Sequence, residues 1–91
     1  MGARTEVSWK TRSPEGGRRE VYARRVGTRW RFFVRERRFE NWMPLISPPL
    51  EDWLFLLDGV RRRVGRRLLR PEDEARLVLE IRERFPEAEF K

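Results

Sequence analysis

Apolar and polar residues alternate through the first half of this chain. In "EVSWK" Val7 and Trp9 share one side, in "REVYARRV" Val21 and Ala23 do, and in "RWRFFVR" Trp30, Phe32 and Val34 do. A period of two is the mark of a strand with one buried face. Beyond residue 47 the spacing changes. Leu50, Trp53, Leu54, Leu57, Val60, Val64 and Leu68 recur at steps of three and four, which predicts an amphipathic helix of about five turns. Ala75, Val78, Leu79, Ile81 and Phe85, with Leu77 widening the arc, predict a second helix.

Turn and cap residues divide these runs. Ser13–Gly17 reads "SPEGG", a turn cluster with paired glycines. Gly27-Thr28 reads as the two-residue loop of a hairpin. Glu36-Arg37-Arg38 has neither Gly nor Asn, so a longer loop is predicted there. "ENWMPLI" is a weaker strand, which Pro44 confines to a sheet edge. Ser47 is placed to cap the first helix, with Pro48 as its first residue. Gly59 and Gly65 weaken that helix by roughly 1 kcal/mol each relative to Ala, and are candidates for close packing. Pro71 opens the second helix, with Glu72, Asp73 and Glu74 in its first turn, and Pro86 ends it. The prediction is an α+β fold: an N-terminal antiparallel β-meander of three to four strands over about 5–46, then two C-terminal helices, about 48–69 and 71–85, packed on one sheet face. A length of 91 residues suits one small domain.

Hairpin geometry gives the register. With Gly27-Thr28 as the turn, Val26 faces Arg29, Arg24 faces Arg31, Tyr22 faces Phe33 and Glu20 faces Arg35. On the opposite side Arg25 meets Trp30, Ala23 meets Phe32 and Val21 meets Val34. If "SPEGG" is a five-residue loop, Trp9 faces Val21 and Val7 faces Ala23 on that same apolar side. Lys10 then faces Glu20, Ser8 faces Tyr22 and Glu6 faces Arg24 on the other. Two independent loops agree on one core face, and a slip of one residue in either would destroy the agreement. The open face is expected to carry Tyr22 beside Phe33, ringed by Arg24, Arg29, Arg31 and Arg35. A two- or four-residue loop after Arg35 puts Trp42 on this face; a three-residue loop sends it to the core.

Charge sharpens the picture. The chain carries 22 basic and 15 acidic residues, a net +7, and 20 of the basic residues are Arg. Residues 1–46 hold 12 basic and 5 acidic residues, and residues 47–91 hold 10 of each, so the whole excess lies in the first half. That placement argues for a basic face rather than diffuse basicity. Arginine usage fits a G+C-rich genome and a thermophile's ion-pair networks. It also fits selection of the planar fork that grips phosphate.

Cysteine and histidine are both absent, which removes disulfides, a thiol nucleophile and the commonest general base and metal ligand. A chain without cysteine suits a reducing cytoplasm. "MGARTEVSWK" has no apolar run of the kind a secretory signal requires, and "WLFLL" is far below the roughly 20 residues of a membrane span. No membrane partner, cofactor or metal is therefore expected. There is no P-loop, GxGxxG, HExxH or serine-elbow motif, and Ser8, Ser13 and Ser47 have no histidine partner. Glu72, Asp73 and Glu74 sit where a helix start prefers acids, so they are read as dipole partners rather than metal ligands.

Three function classes remain. The first is a small basic binding module for RNA or single-stranded DNA. Solvated aromatics offer stacking surfaces and guanidinium groups take phosphates, with Tyr22, Arg24, Arg29, Arg31, Phe33, Arg35 and Trp42 as the candidate face. Arg63, Arg66, Arg67 and Arg70 at the end of the first helix would add backbone contacts. The second is a protein-interaction or homo-oligomeric structural protein with no nucleic-acid ligand, in which Tyr22 and Phe33 or the wide apolar arc of the second helix lie under a partner. The third is a ribonuclease that works without histidine, with Arg24, Arg31, Glu20 and Tyr22 in the chemical roles. Beside all three stands an ordinary salt-bridged surface, with Glu6 pairing Arg24, and Glu20 pairing Lys10 and Arg35.

Overall fold

The computed structural model describes residues 6–37 and 40–90. Four strands precede two helices: β1 (Glu6–Arg12), β2 (Arg18–Val26), β3 (Arg29–Arg35), β4 (Met43–Leu45), α1 (Leu50–Gly65) and α2 (Pro71–Arg84). This is an α+β fold. The expected strand start at residue 5 and residues 38 and 39 of the third loop lie outside the described residues. The chain divides into two compact units, Met1–Pro48 and Pro49–Lys91, and each is described by itself.

The sheet unit is an antiparallel meander in the order β1-β2-β3-β4. Its first two hairpins take the register that the loops dictate. Val7 pairs with Ala23 and Trp9 with Val21. Val21 pairs with Val34, Tyr22 with Phe33 and Arg24 with Arg31. Gly27 has φ of +66° and Thr28 does not have a positive φ, the pattern of a type II′ turn, whose twist matches that of the flanking strands. The Ser13–Gly17 loop is locked from within. The Gly16 amide donates to the Ser13 carbonyl and the Ser13 amide to the Gly17 carbonyl, both at 2.8 Å. The Gly17 amide donates to Ser13 Oγ at 3.0 Å, which explains why this serine is buried.

Alternation sorts the two sheet faces as period two requires. Val7, Val21, Ala23, Trp30 and Phe32 are buried. Trp9 is only half-buried rather than a full core residue, since it sits on the outer strand β1, and its ring meets Phe32 edge-on at 6.0 Å between centroids. Strand β4 is short and lies at the sheet edge, with Phe33 opposite Pro44 and Val34 opposite Met43. An edge is the position where a residue without an N–H costs no ladder bond.

The helical unit departs from expectation at both ends of α1. The N-cap is Pro49, not Ser47, and no side chain caps it; the Pro49 carbonyl takes the amides of Asp52 and Trp53 at 3.0 and 3.3 Å. The helix also stops at Gly65 instead of residue 69. The Arg67 amide returns to the Val64 carbonyl at 3.0 Å and the Leu68 amide to the Arg63 carbonyl at 2.8 Å. This is the Schellman pattern of helix closure, and Arg67 takes the left-handed position at φ 63°. The apolar stripe is therefore rotated and shortened. Trp53, Leu56, Leu57 and Val60 are buried, Leu50, Leu54 and Val64 are half-buried, and Leu68 is 66% exposed while Leu69 is buried in its place.

Helix α2 starts at Pro71 as expected. Asp73 accepts the Arg70 amide through Oδ2 at 2.8 Å, and the Arg70 carbonyl accepts the Asp73 amide at 2.9 Å. Only Leu77 and Ile81 of its wide arc are buried; Val78 is half-buried, and Ala75 and Leu79 are exposed. Arg61 Nε donates to Glu74 Oε2 at 2.8 Å between the two helices, and the Arg84 guanidinium lies 4.9 Å from the Trp53 ring centroid.

Candidate functional site

Strands β2 and β3 hold Tyr22 and Phe33 directly opposite each other on the face away from Val21 and Phe32. Their rings stack at 4.9 Å between centroids with 18° between planes. Trp42 also meets Tyr22, edge-on at 4.7 Å and 88°. The parity of the third loop explains this. With Val34 opposite Met43, extending the ladder by one pair sets Arg35 opposite Trp42, so Trp42 shares the side of Phe33. All three rings are half-buried, leaving part of each accessible.

Arginines frame the rings. The Arg35 guanidinium carbon sits 4.3 Å from the Trp42 centroid, within cation–π range, and Arg24 lies 5.9 Å from the Phe33 centroid. Arg35 Nε also donates to Glu20 Oε1 at 2.8 Å. That hydrogen bond holds the Glu20 carboxyl below its usual range, helped by the charges of Arg35, Lys10 and Arg18 and opposed by partial burial. Arg24 stands directly opposite Arg31, and both are exposed. Among the described residues neither is in an ion pair, nor is Arg29. Like charges across a strand pair repel, and a bound anion is what would relieve them.

Of the pairings expected for a plain salt-bridged surface, Glu20 with Arg35 forms. Glu6 is opposite Arg24 in the ladder, but Arg24 makes no ion pair among the described residues, and neither does Lys10. A concavity of about 490 Å³ opens beside this cluster, lined by Ser8, Trp9, Lys10, Glu20, Val21, Arg35 and Trp42.

The candidate residues thus fall into two groups. Tyr22, Phe33, Trp42, Arg24, Arg29, Arg31 and Arg35 converge on one sheet face. Arg63, Arg66, Arg67 and Arg70 belong to the helical unit, at the end of α1 and in the connector to α2. Arg63 is partly committed, donating through Nη1 to the Gly59 carbonyl at 3.1 Å, while Arg66, Arg67 and Arg70 are exposed. Pro44 stands opposite Phe33 at the sheet edge and is exposed. Among the described residues, no group of three or more acidic side chains is arranged to hold a metal ion, and no helix is long and apolar enough to cross a membrane. Comparison with protein-family models, with curated proteins and with solved structures finds no match.

Proposed function

We propose that this protein binds single-stranded RNA or DNA on the open face of its sheet. The observation that carries the reading is the juxtaposition of three partly accessible rings (Tyr22, Phe33 and Trp42) with a charge-unrelieved Arg24–Arg31 pair on one surface. Bases stack on rings for roughly 1–3 kcal/mol each, whatever their sequence, and guanidinium groups take the phosphates between them. The ligand class follows from what is exposed. A duplex hides its base faces, so stacking rings would be idle against it. With about four phosphates neutralised, log affinity against log salt has a slope near −3 for a single strand.

The test is oligonucleotide binding at low salt. Arg24→Glu/Arg31→Glu abolishes it while circular dichroism stays that of the wild type; unchanged affinity removes the proposal. Phe33→Ala weakens single-strand binding by about 1–3 kcal/mol. If Phe33→Ala instead turns a dimer into a monomer by light scattering, the rings serve an interface between copies. Hydrolysis is the less favoured chemistry. Glu20 is hydrogen-bonded to Arg35 with its proton affinity lowered, which makes it a poor general base. Labelled RNA left intact on incubation excludes the ribonuclease.

A further inference from the structure

The open face continues past the rings to the β1–β2 loop. Arg12 and Arg18 form the last pair of the first ladder, and Lys10 lies two residues back on the same side. These three cations share the strand parity of Ser8 and Tyr22. They line, with Thr11, Gly16 and Gly17, a second concavity of about 440 Å³. Among the described residues none of the three is in an ion pair; Glu20, opposite Lys10, is hydrogen-bonded to Arg35, and its charge offsets those of Lys10 and Arg18 only in part while Arg12 lies two residues beyond. Arg12 opposite Arg18 repeats, at this end of the sheet, the like-charge opposition of Arg24 and Arg31 at the other.

We infer that the loop end is a phosphate subsite for the same single strand, held by Lys10, Arg12 and Arg18, so that the nucleic acid runs along the strands of the sheet. The inference rests on the proposed platform and adds its direction. From Arg18 to Arg24 is six residues of strand, about 20 Å at ~3.3 Å per residue, with the rings between. A path of that length suits a site of about four nucleotides. The subsite works through side chains. The Gly16 and Gly17 amides are spent on Ser13, so the loop is not a backbone phosphate cradle. Its glycines leave the concavity open, and guanidinium forks supply paired donors to phosphate oxygens.

The experiment compares wild type, Arg12→Gln/Arg18→Gln and Phe33→Ala in binding fluorescein-labelled oligo(U) over a range of salt. The double variant is expected to lower the magnitude of the salt slope by at least about 0.7, the share of one phosphate on a single strand, and to keep, at saturating oligo(U), the part of the tryptophan quenching that Trp42→Phe removes, which reports stacking. An unchanged slope and affinity in the double variant, with Phe33→Ala still weakened, overturns the loop-end subsite and leaves the platform standing. Absence of oligo(U) binding by the wild type overturns both. Loss of that quenching in the double variant at saturating oligo(U) also overturns the subsite, because a phosphate contact at the loop end would not remove stacking.

Discussion

At the scale of single residues, two side chains carry most of the information. Glu20 is 12% exposed in its side chain and is hydrogen-bonded to the arginine that covers Trp42. Its lowered pKa has a thermodynamic consequence. A carboxylate whose folded pKa lies below its unfolded value contributes stability above the ordinary glutamate range, and that stability is lost as pH falls through the folded value. The stability difference between wild type and Glu20→Gln, from urea denaturation, is therefore expected to be full at neutral pH and to close in acid below the usual glutamate range. A difference that persists unchanged to the lowest accessible pH would refute the pairing. Arg67 is the other informative residue. A non-glycine residue at φ 63° costs roughly 1–2 kcal/mol, and the Schellman closure of α1 imposes that conformation here. Arg67→Gly is expected to raise the melting temperature, and a fall would show that the arginine side chain has a stabilising contact outweighing the strain.

At the scale of elements, the hairpins and α1 behave differently. Each hairpin register follows from a loop of countable length and an apolar set that tolerates no slip, so the pairing of Trp9 with Val21 and of Ala23 with Phe32 was legible in the residues alone. Helix α1 was legible in kind but not in extent. Its three-four periodicity runs on through Leu68, yet periodicity has no way to register that the chain turns at Arg67. Gly65 illustrates the difference. Read along the chain it is a candidate for close packing, but a Cβ placed there meets nothing within 4 Å. Gly65→Ala is therefore expected to stabilise the protein by roughly 0.5–1 kcal/mol, measured by chemical denaturation. Destabilisation would mean the last turn needs glycine's backbone freedom. Buried Ile81, with no exposed surface, sets the opposite expectation: Ile81→Ala costs about 2–5 kcal/mol.

At the scale of the whole molecule, the net charge of +7 resides in residues 1–46, which include the strands of the sheet unit. A surface of that sign attracts polyanions before any specific contact forms, and the attraction weakens with salt. Protein purified at low salt is expected to carry nucleic acid, read from the 260/280 nm absorbance ratio after allowance for its four tryptophans, and to shed it in high salt. A ratio matching the tryptophan content at every salt concentration would argue against polyanion binding.

The order of elements, the pairing of β1 with β2 and of β2 with β3, and the placing of Tyr22, Phe33, Arg24 and Arg31 on one face were written in the sequence. Turn chemistry and a period of two act over a few residues and leave each strand one register that buries its apolar side. The tertiary structure decided the rest: Trp42 beside Tyr22, Leu69 buried in place of Leu68, and α1 ended at Gly65. Those outcomes depend on how a long loop returns and where a helix finds closing hydrogen bonds. The first is settled by a contact between positions twenty residues apart, Tyr22 and Trp42; the second by backbone hydrogen bonds around Arg67 that a side-chain pattern does not register.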